Sequence, residues 1–139
     1  MNIKKLIITV IAVFVLLEVT SYIIHSVILA KTYEGLVNTF RPMAEMENMM
    51  WRMWIADLVF SFFFVFIFTK GYQNKGIMEG VRYGIYIALF MNFSASIAQN
   101  VVYNIPFSLA FQWGIYGAIQ MVLAGVVTAL LYKPAEVKA

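Results

Sequence analysis

Ionisable and amide side chains stand at helical spacing inside otherwise apolar runs of this chain. In "VFVLLEVTSYIIHSV", residues 13 to 27, Glu18, Ser21, Tyr22 and His25 fall at i, i+3, i+4 and i+7, which places them on one helix face. Asp57 and Ser61 repeat the i, i+4 spacing. Asn92, Ser96, Gln99 and Tyr103 make a third polar stripe, and Gln112 and Gln120 a fourth. A charge at the centre of a bilayer costs at least about 2.5–3.5 kcal/mol, so in lipid such groups should turn inward and meet one another. Two neighbouring carboxyl groups cannot both ionise cheaply, which makes Glu18 and Asp57 candidates for proton binding. His25, the only histidine, is the candidate ligand or proton relay. The same residues also admit a plainer role, as amides and hydroxyls that hold helices together.

The elements that must position these groups follow from composition. The 139 residues are 63% hydrophobic and 12% charged, with a mean hydropathy of +0.82. A soluble domain carries about 25% charged residues, so the solvent of this chain should be largely lipid. Four apolar segments, roughly 6–29, 50–69, 81–103 and 107–132, are each near or above the length needed to cross about 30 Å of hydrocarbon as a helix. Helices are the expected form, because no alternating barrel pattern is present and the backbone must satisfy itself in lipid. The expected fold is all-α: one transmembrane domain, 1–139, a four-helix bundle running up-down-up-down. The opening "MNIKKLIITVIAVFVLL" imitates a signal peptide, but its apolar run is too long, contains Glu18 and lacks a clean small-x-small site. It reads as a retained first helix.

Lys4, Lys5, Lys70, Lys75, Arg82, Lys133 and Lys138 fall on one side of four crossings, and Lys31, Arg41 and Arg52 on the other. This bias puts both termini in the cytoplasm and the protein in the cell inner membrane, with the 30–49 connection and the "NIP" turn at 104–106 outside. Tyr33, Phe40, Trp51, Trp54, Tyr103 and Trp113 then form an outer aromatic belt. Measured from the outer helix ends at 1.5 Å per residue, Gln99 and His25 lie roughly 6 Å deep and Gln112 about 8 Å. Asp57 and Ser96 lie near 10 Å, and Glu18 and Asn92 near 16 Å, each by the same approximate rise. These residues, with Ser21, should form one cluster open to the outside: Glu18 at its floor, Asp57 on its wall, His25 at its mouth and Asn92 opposite Glu18. Gln120 and Thr128 serve the inner half. Gly80, Gly84, Ala88, Asn92, Ser96 and Asn100 recur every four residues. That small-residue seam allows close backbone approach, and it makes the third helix the expected centre of the bundle. The fourth carries further small residues, Gly114, Gly117, Ala118, Ala124 and Gly125.

"RPMAEMENMMWRMW" carries Met43, Met46, Met49, Met50 and Met53 at three- and four-residue spacing. Thioethers suit Cu(I), yet Met is also an ordinary gap filler. With no cysteine and one histidine beside them, these residues read as a short outer helix between the first two spans. It starts at Arg41-Pro42, with Glu45 and Glu47 favouring its N-terminus. The absence of cysteine excludes disulfides, thiolate metal sites and Cys nucleophiles. No nucleophile elbow, metalloprotease helix or phosphate loop is present. No cofactor is implied, and the net charge of +3 reflects topology rather than nucleic-acid binding.

With Glu18 in "VLLEVTSY", the four-helix plan is similar to that of the small multidrug-resistance transporters. In that family a first-helix glutamate binds protons and cationic drugs in turn, so the resemblance implies that role for Glu18 alone. The long outer connection, the third helix without Trp, the extra Asp57 and the charge bias depart from the family pattern. More broadly, "YEGLVNTFRPMAEME" and "EGVRYGIYIALF" resemble small bacterial four-helix membrane proteins, a likeness that implies fold and location only. The expected function is a non-catalytic membrane protein whose polar pocket binds a small ligand or seats a partner subunit or second copy. Proton-coupled transport through Glu18 and Asp57, and copper handling by the methionines, are the alternatives.

Overall fold

The computed structural model describes residues 2–132, which are helical with no strand among them. Lys133 and Lys138, counted above for orientation, lie outside the described residues. Helix α1 (Ile3–Tyr22) starts on Asn2, whose side chain accepts the Lys5 N–H at 3.1 Å. It runs on through a π-helical stretch, Ile23–Ile28. A single short helix, α2 (Ala30–Glu34), precedes the long α3 (Met43–Gly71). Helix α4 (Ile77–Ile87), a second π stretch (Ala88–Phe93) and α5 (Ser94–Val102) follow one another without a break, and α6 (Phe107–Leu131) closes the chain. The stretches Ile3–Ile28, Met43–Gly71, Ile77–Val102 and Phe107–Leu131 are long and apolar enough to cross a membrane. They overlap the four expected segments, the second starting seven residues earlier than expected.

The methionine run departs from expectation. It forms no separate short helix but the first turns of α3, which starts directly after Pro42. Ala, Met and Glu are good helix formers and nothing after Pro42 breaks the run, so the helix continues straight into the apolar segment. The short helix of this connection is α2 instead.

Helix α6 is the packing centre. It lies against α1, α4 and α5 and is the most buried of the four long stretches, whereas Ile77–Val102 is the least. The glycine seam is real but narrow. A Cβ on Gly80 would meet the Gly125 carbonyl oxygen, and a Cβ on Gly84 would lie 2.6 Å from Val122 Cα. Further along, Asn92 packs on Gly117 and Phe93 on Gly114, so the two helices run antiparallel. A repeat of four residues drifts by about 40° per step on an α-helix of 3.6 residues per turn. The π stretch at Ala88–Phe93 has a wider turn and takes that drift back, which keeps Gly80, Gly84, Ala88, Asn92 and Ser96 facing α6. Ser94 Oγ donates to the Leu89 carbonyl at 2.9 Å, inside this widened turn.

The exterior is as apolar as the core, unlike that of a water-soluble protein. Thr9, Ser61, Ser96, Gln120 and Thr128 are buried polar side chains. Ile55, Leu58, Val59, Phe62, Phe63, Phe90, Val101 and Val102 are outside. One core cluster joins Leu6, Val10, Val13 and Leu17 of α1 to Phe64, Val65 and Phe68 of α3 and Met121 and Ala124 of α6. A second, around Ile24, Leu29, Ile105 and Leu109, lies at the other end of the molecule, near Trp113. At the Tyr132 end, the buried Glu79 carboxylate organises the α3–α4 connection. Its Oε1 accepts the Gln73 N–H at 2.6 Å and its Oε2 the Lys75 N–H at 2.8 Å. Asn74 and Gly76 in that connection adopt positive φ.

Candidate functional site

A polar cavity of about 190 Å³ lies between the π stretch of α1, the π–α5 region and α6. His25, Asn92, Ser96, Gln99 and Gln120 line it, with Ile24, Trp113, Tyr116 and Gly117 completing the wall. Its His25 and Gln99 side is exposed while Ser96, Gly117 and Gln120 are buried, so the cavity runs inward from the surface. Gln120 stands 13 residues from the start of α6, about 20 Å along the helix. Its Nε2 donates to Thr20 Oγ1 at 2.8 Å and to Ser21 Oγ at 3.1 Å, which ties α6 to α1. The amide oxygen takes no part in those bonds and is left to accept from the cavity. No Asp, Glu, Lys or Arg lines the space. It therefore offers neutral donors and acceptors plus one imidazole.

A hydrogen-bonded relay fixes that imidazole. Trp113 Nε1 donates to Tyr33 Oη at 2.8 Å, and Tyr33 Oη lies 2.6 Å from His25 Nδ1. Indole can only donate, so the phenol accepts from Trp113 and has its own proton to give to Nδ1. Nε2 takes no part in that bond, and His25 lines the cavity. Burial pushes the Tyr33 phenol above its usual value, outweighing the opposite pull of the Trp113 N–H, so Tyr33 stays a donor at neutral pH. Phe40 packs on both Tyr33 and Trp113, which anchors the segment after α2 over this end.

Glu18 of α1 and Asp57 of α3 face each other away from this cavity, within reach of a side-chain hydrogen bond. Two carboxyl groups can make that bond only by sharing a proton. No donor from elsewhere among the described residues reaches Glu18 Oε1. Ser61 Oγ, one turn from Asp57 on α3, is fully buried and also without a partner.

The expected single cluster is thus two. His25, Asn92, Ser96 and Gln99 meet at the cavity; Glu18 and Asp57 meet each other; Ser21 contacts Gln120 between them. Gln112 is half-buried and does not line the cavity, and Asn92 faces Gly117 rather than Glu18. The physical reason is the first π stretch. The Leu29 N–H reaches back five residues to the Ile24 carbonyl at 2.9 Å. The wider turn carries His25 off the Glu18 face and round to the side of Ser21 and α6. Gln120, expected in the inner half, is the floor that Glu18 was expected to be. Tyr33 and Trp113, expected in a membrane-boundary belt, are second-layer supports of the site, while Trp51, Trp54 and Tyr103 are exposed. Of the methionines, Met43 and Met53 are exposed on α3 and Met46, Met49 and Met50 are half-buried. Comparison with protein-family models, curated proteins and solved structures finds no match for this chain, so the functional reading rests on its own geometry.

Proposed function

We propose that this chain is a non-catalytic, multi-pass membrane protein of the cell inner membrane whose cavity, open to the outer face, binds a small neutral molecule through hydrogen bonds. The observation that carries the membrane part is the exterior: four long apolar helices keep large apolar side chains on the outside as well as in the core. A hydrocarbon solvent makes that exterior favourable, and water does not. Four helices packed up-down-up-down, with both termini cytoplasmic, then agree with the Lys and Arg bias. The ligand part rests on the cavity. By the volume of liquid water it has room for roughly six waters. It is lined by amides, a hydroxyl and His25, and it lacks any fixed charge to favour an ion. That free space argues for a ligand rather than for helix-to-helix glue or a seated partner subunit.

A second reading, proton-coupled transport, is favoured by one specific feature, the pairing of two carboxyl groups, Glu18 and Asp57, across α1 and α3. On this reading the acid pair loads and releases a proton while the cavity holds the cargo.

The test is thermal stability of the purified protein in detergent with equal concentrations of small amides and polyols, carboxylates, or ammonium ions. At about 100 times its Kd a ligand stabilises by about 2.7 kcal/mol. The neutral class should raise the melting point, and Ser96→Ala combined with Gln99→Leu should remove the rise. Stabilisation by charged compounds alone, or an equal rise in the double variant, would count against the proposal.

A further inference from the structure

At the Tyr132 end, α3 and α4 leave between them a groove of about 640 Å³, separate from the cavity. Ile67, Phe68, Tyr83 and Tyr86 form its apolar wall, and Lys70 and Arg82 stand beside them. Tyr83 braces the two helices, donating to the Phe64 carbonyl at 2.6 Å and packing edge-on against Phe64 and Phe68. Neither cation has an ion-pair partner among the described residues, where Arg41 and Glu45 make the one salt bridge. Lys70 Nζ rests over the Phe66 ring at 4.8 Å, which leaves its charge uncancelled. Glu79, the one acid in the groove, is buried and already committed to the Gln73 and Lys75 N–H groups. Two positive charges without an ion-pair partner, against one buried carboxylate, thus lie next to an open apolar wall at the boundary of the apolar stretches.

We propose that this groove binds one anionic phospholipid of the cytoplasmic leaflet, its phosphate between Lys70 and Arg82 and an acyl chain along Ile67 and Tyr86. The inference rests on the membrane reading above. A zwitterionic headgroup would carry its own cation toward Lys70 and Arg82, whereas an anionic one leaves the phosphate charge to them. Each basic contact favours an anionic headgroup about fivefold, so two give a preference of about 25-fold.

Native mass spectrometry of the full chain, titrated in neutral detergent with phosphatidylglycerol or with phosphatidylcholine of the same chains, tests this. The wild type should prefer phosphatidylglycerol about 25-fold, and Lys70→Gln with Arg82→Gln should bring the two lipids close to equal. Lys70→Arg with Arg82→Lys should keep the preference, as should Lys31→Gln with Arg52→Gln at the other end. A preference that survives the first double variant, or falls equally in the last, would overturn the site. Displacement of the lipid by inorganic phosphate at equal concentration would overturn the lipid assignment in favour of a soluble phosphate group. Alkaline carbonate extraction separates the two failures. A chain washed out of membranes sinks the membrane reading and this site with it, whereas a retained chain without lipid preference sinks the site alone.

Discussion

Gly84→Leu should lower the melting point in detergent by roughly 10 °C or more, or leave no folded protein to recover, while Phe63→Leu should shift it by a few degrees at most. Both changes place leucine on the third or second membrane stretch; the difference lies in what the side chain meets. At Gly84 even a Cβ would sit 2.6 Å from Val122 Cα and against the Met121 carbonyl oxygen. Those atoms are backbone of α6, the helix on which the rest packs, so no rotamer change relieves the clash and the helices must separate. Overpacking typically costs about 1–3 kcal/mol, and a clash of backbone with backbone belongs at or above the upper end. In lipid, helix association depends on close van der Waals contact, since the solvent is as apolar as the side chains. Separation therefore loses most of what holds α4 to α6. Phe63 is 52% exposed, and leucine there exchanges one exposed apolar group for another. Equal melting points for the two variants would refute the assigned seam.

Glu18→Ala should destabilise the protein by about 2 kcal/mol or more, and Glu18→Gln by much less. Alanine removes one carboxyl and leaves Asp57 without its partner in a poorly solvated interface, where an unpaired polar group costs about 1–3 kcal/mol and a charged one more. Glutamine has nearly the shape of a protonated carboxyl, and its amide N–H can donate to Asp57 in place of the shared proton. The pairing has a sharper signature. In a cycle of Glu18→Ala, Asp57→Ala and the double variant, the two changes should couple by about 0.5–3 kcal/mol, because each removes the other's partner. Additive effects would mean that the carboxyls do not act as a unit. The hydrogen bond between Glu18 and Asp57 would then carry no weight, and the transport reading would lose its support.

Much of this was legible before any coordinates. Element type and extent follow from apolar length: the four stretches match the expected segments to within a few residues, apart from α3, whose start lies seven residues earlier. The glycine spacing marks a close-packed face on the third stretch without naming its partner, and burial makes α6 the centre rather than the third stretch. Wheel geometry failed where the helix stops being α. A reading at 3.6 residues per turn puts His25 beneath Glu18, and the π stretch at Ile23–Ile28 puts it beside α6. No residue in "IIHSVI" announces a widened turn, since β-branched residues are ordinary in a membrane helix. The role of Tyr33 was equally hidden. Its meeting with Trp113 spans 80 positions of chain, and only the folded connection after α1 brings the two rings together. The capture of two loop N–H groups by Glu79 goes with the positive φ of Asn74 and Gly76, which side-chain periodicity does not show.

Thiol labelling from one side of the membrane tests the central claim of a water-filled polar cavity open to the outer face. The chain has no cysteine, so each introduced thiol is the only one. Ser96 lines the buried part of the cavity, Tyr103 is exposed at the same end, and Lys75 is exposed at the opposite end. In intact cells a small membrane-impermeant thiosulfonate should label Ser96→Cys and Tyr103→Cys, and should reach Lys75→Cys only after permeabilisation. Labelling of Tyr103→Cys without Ser96→Cys would mean that the cavity is closed to water. Labelling of Lys75→Cys in intact cells would contradict the account outright.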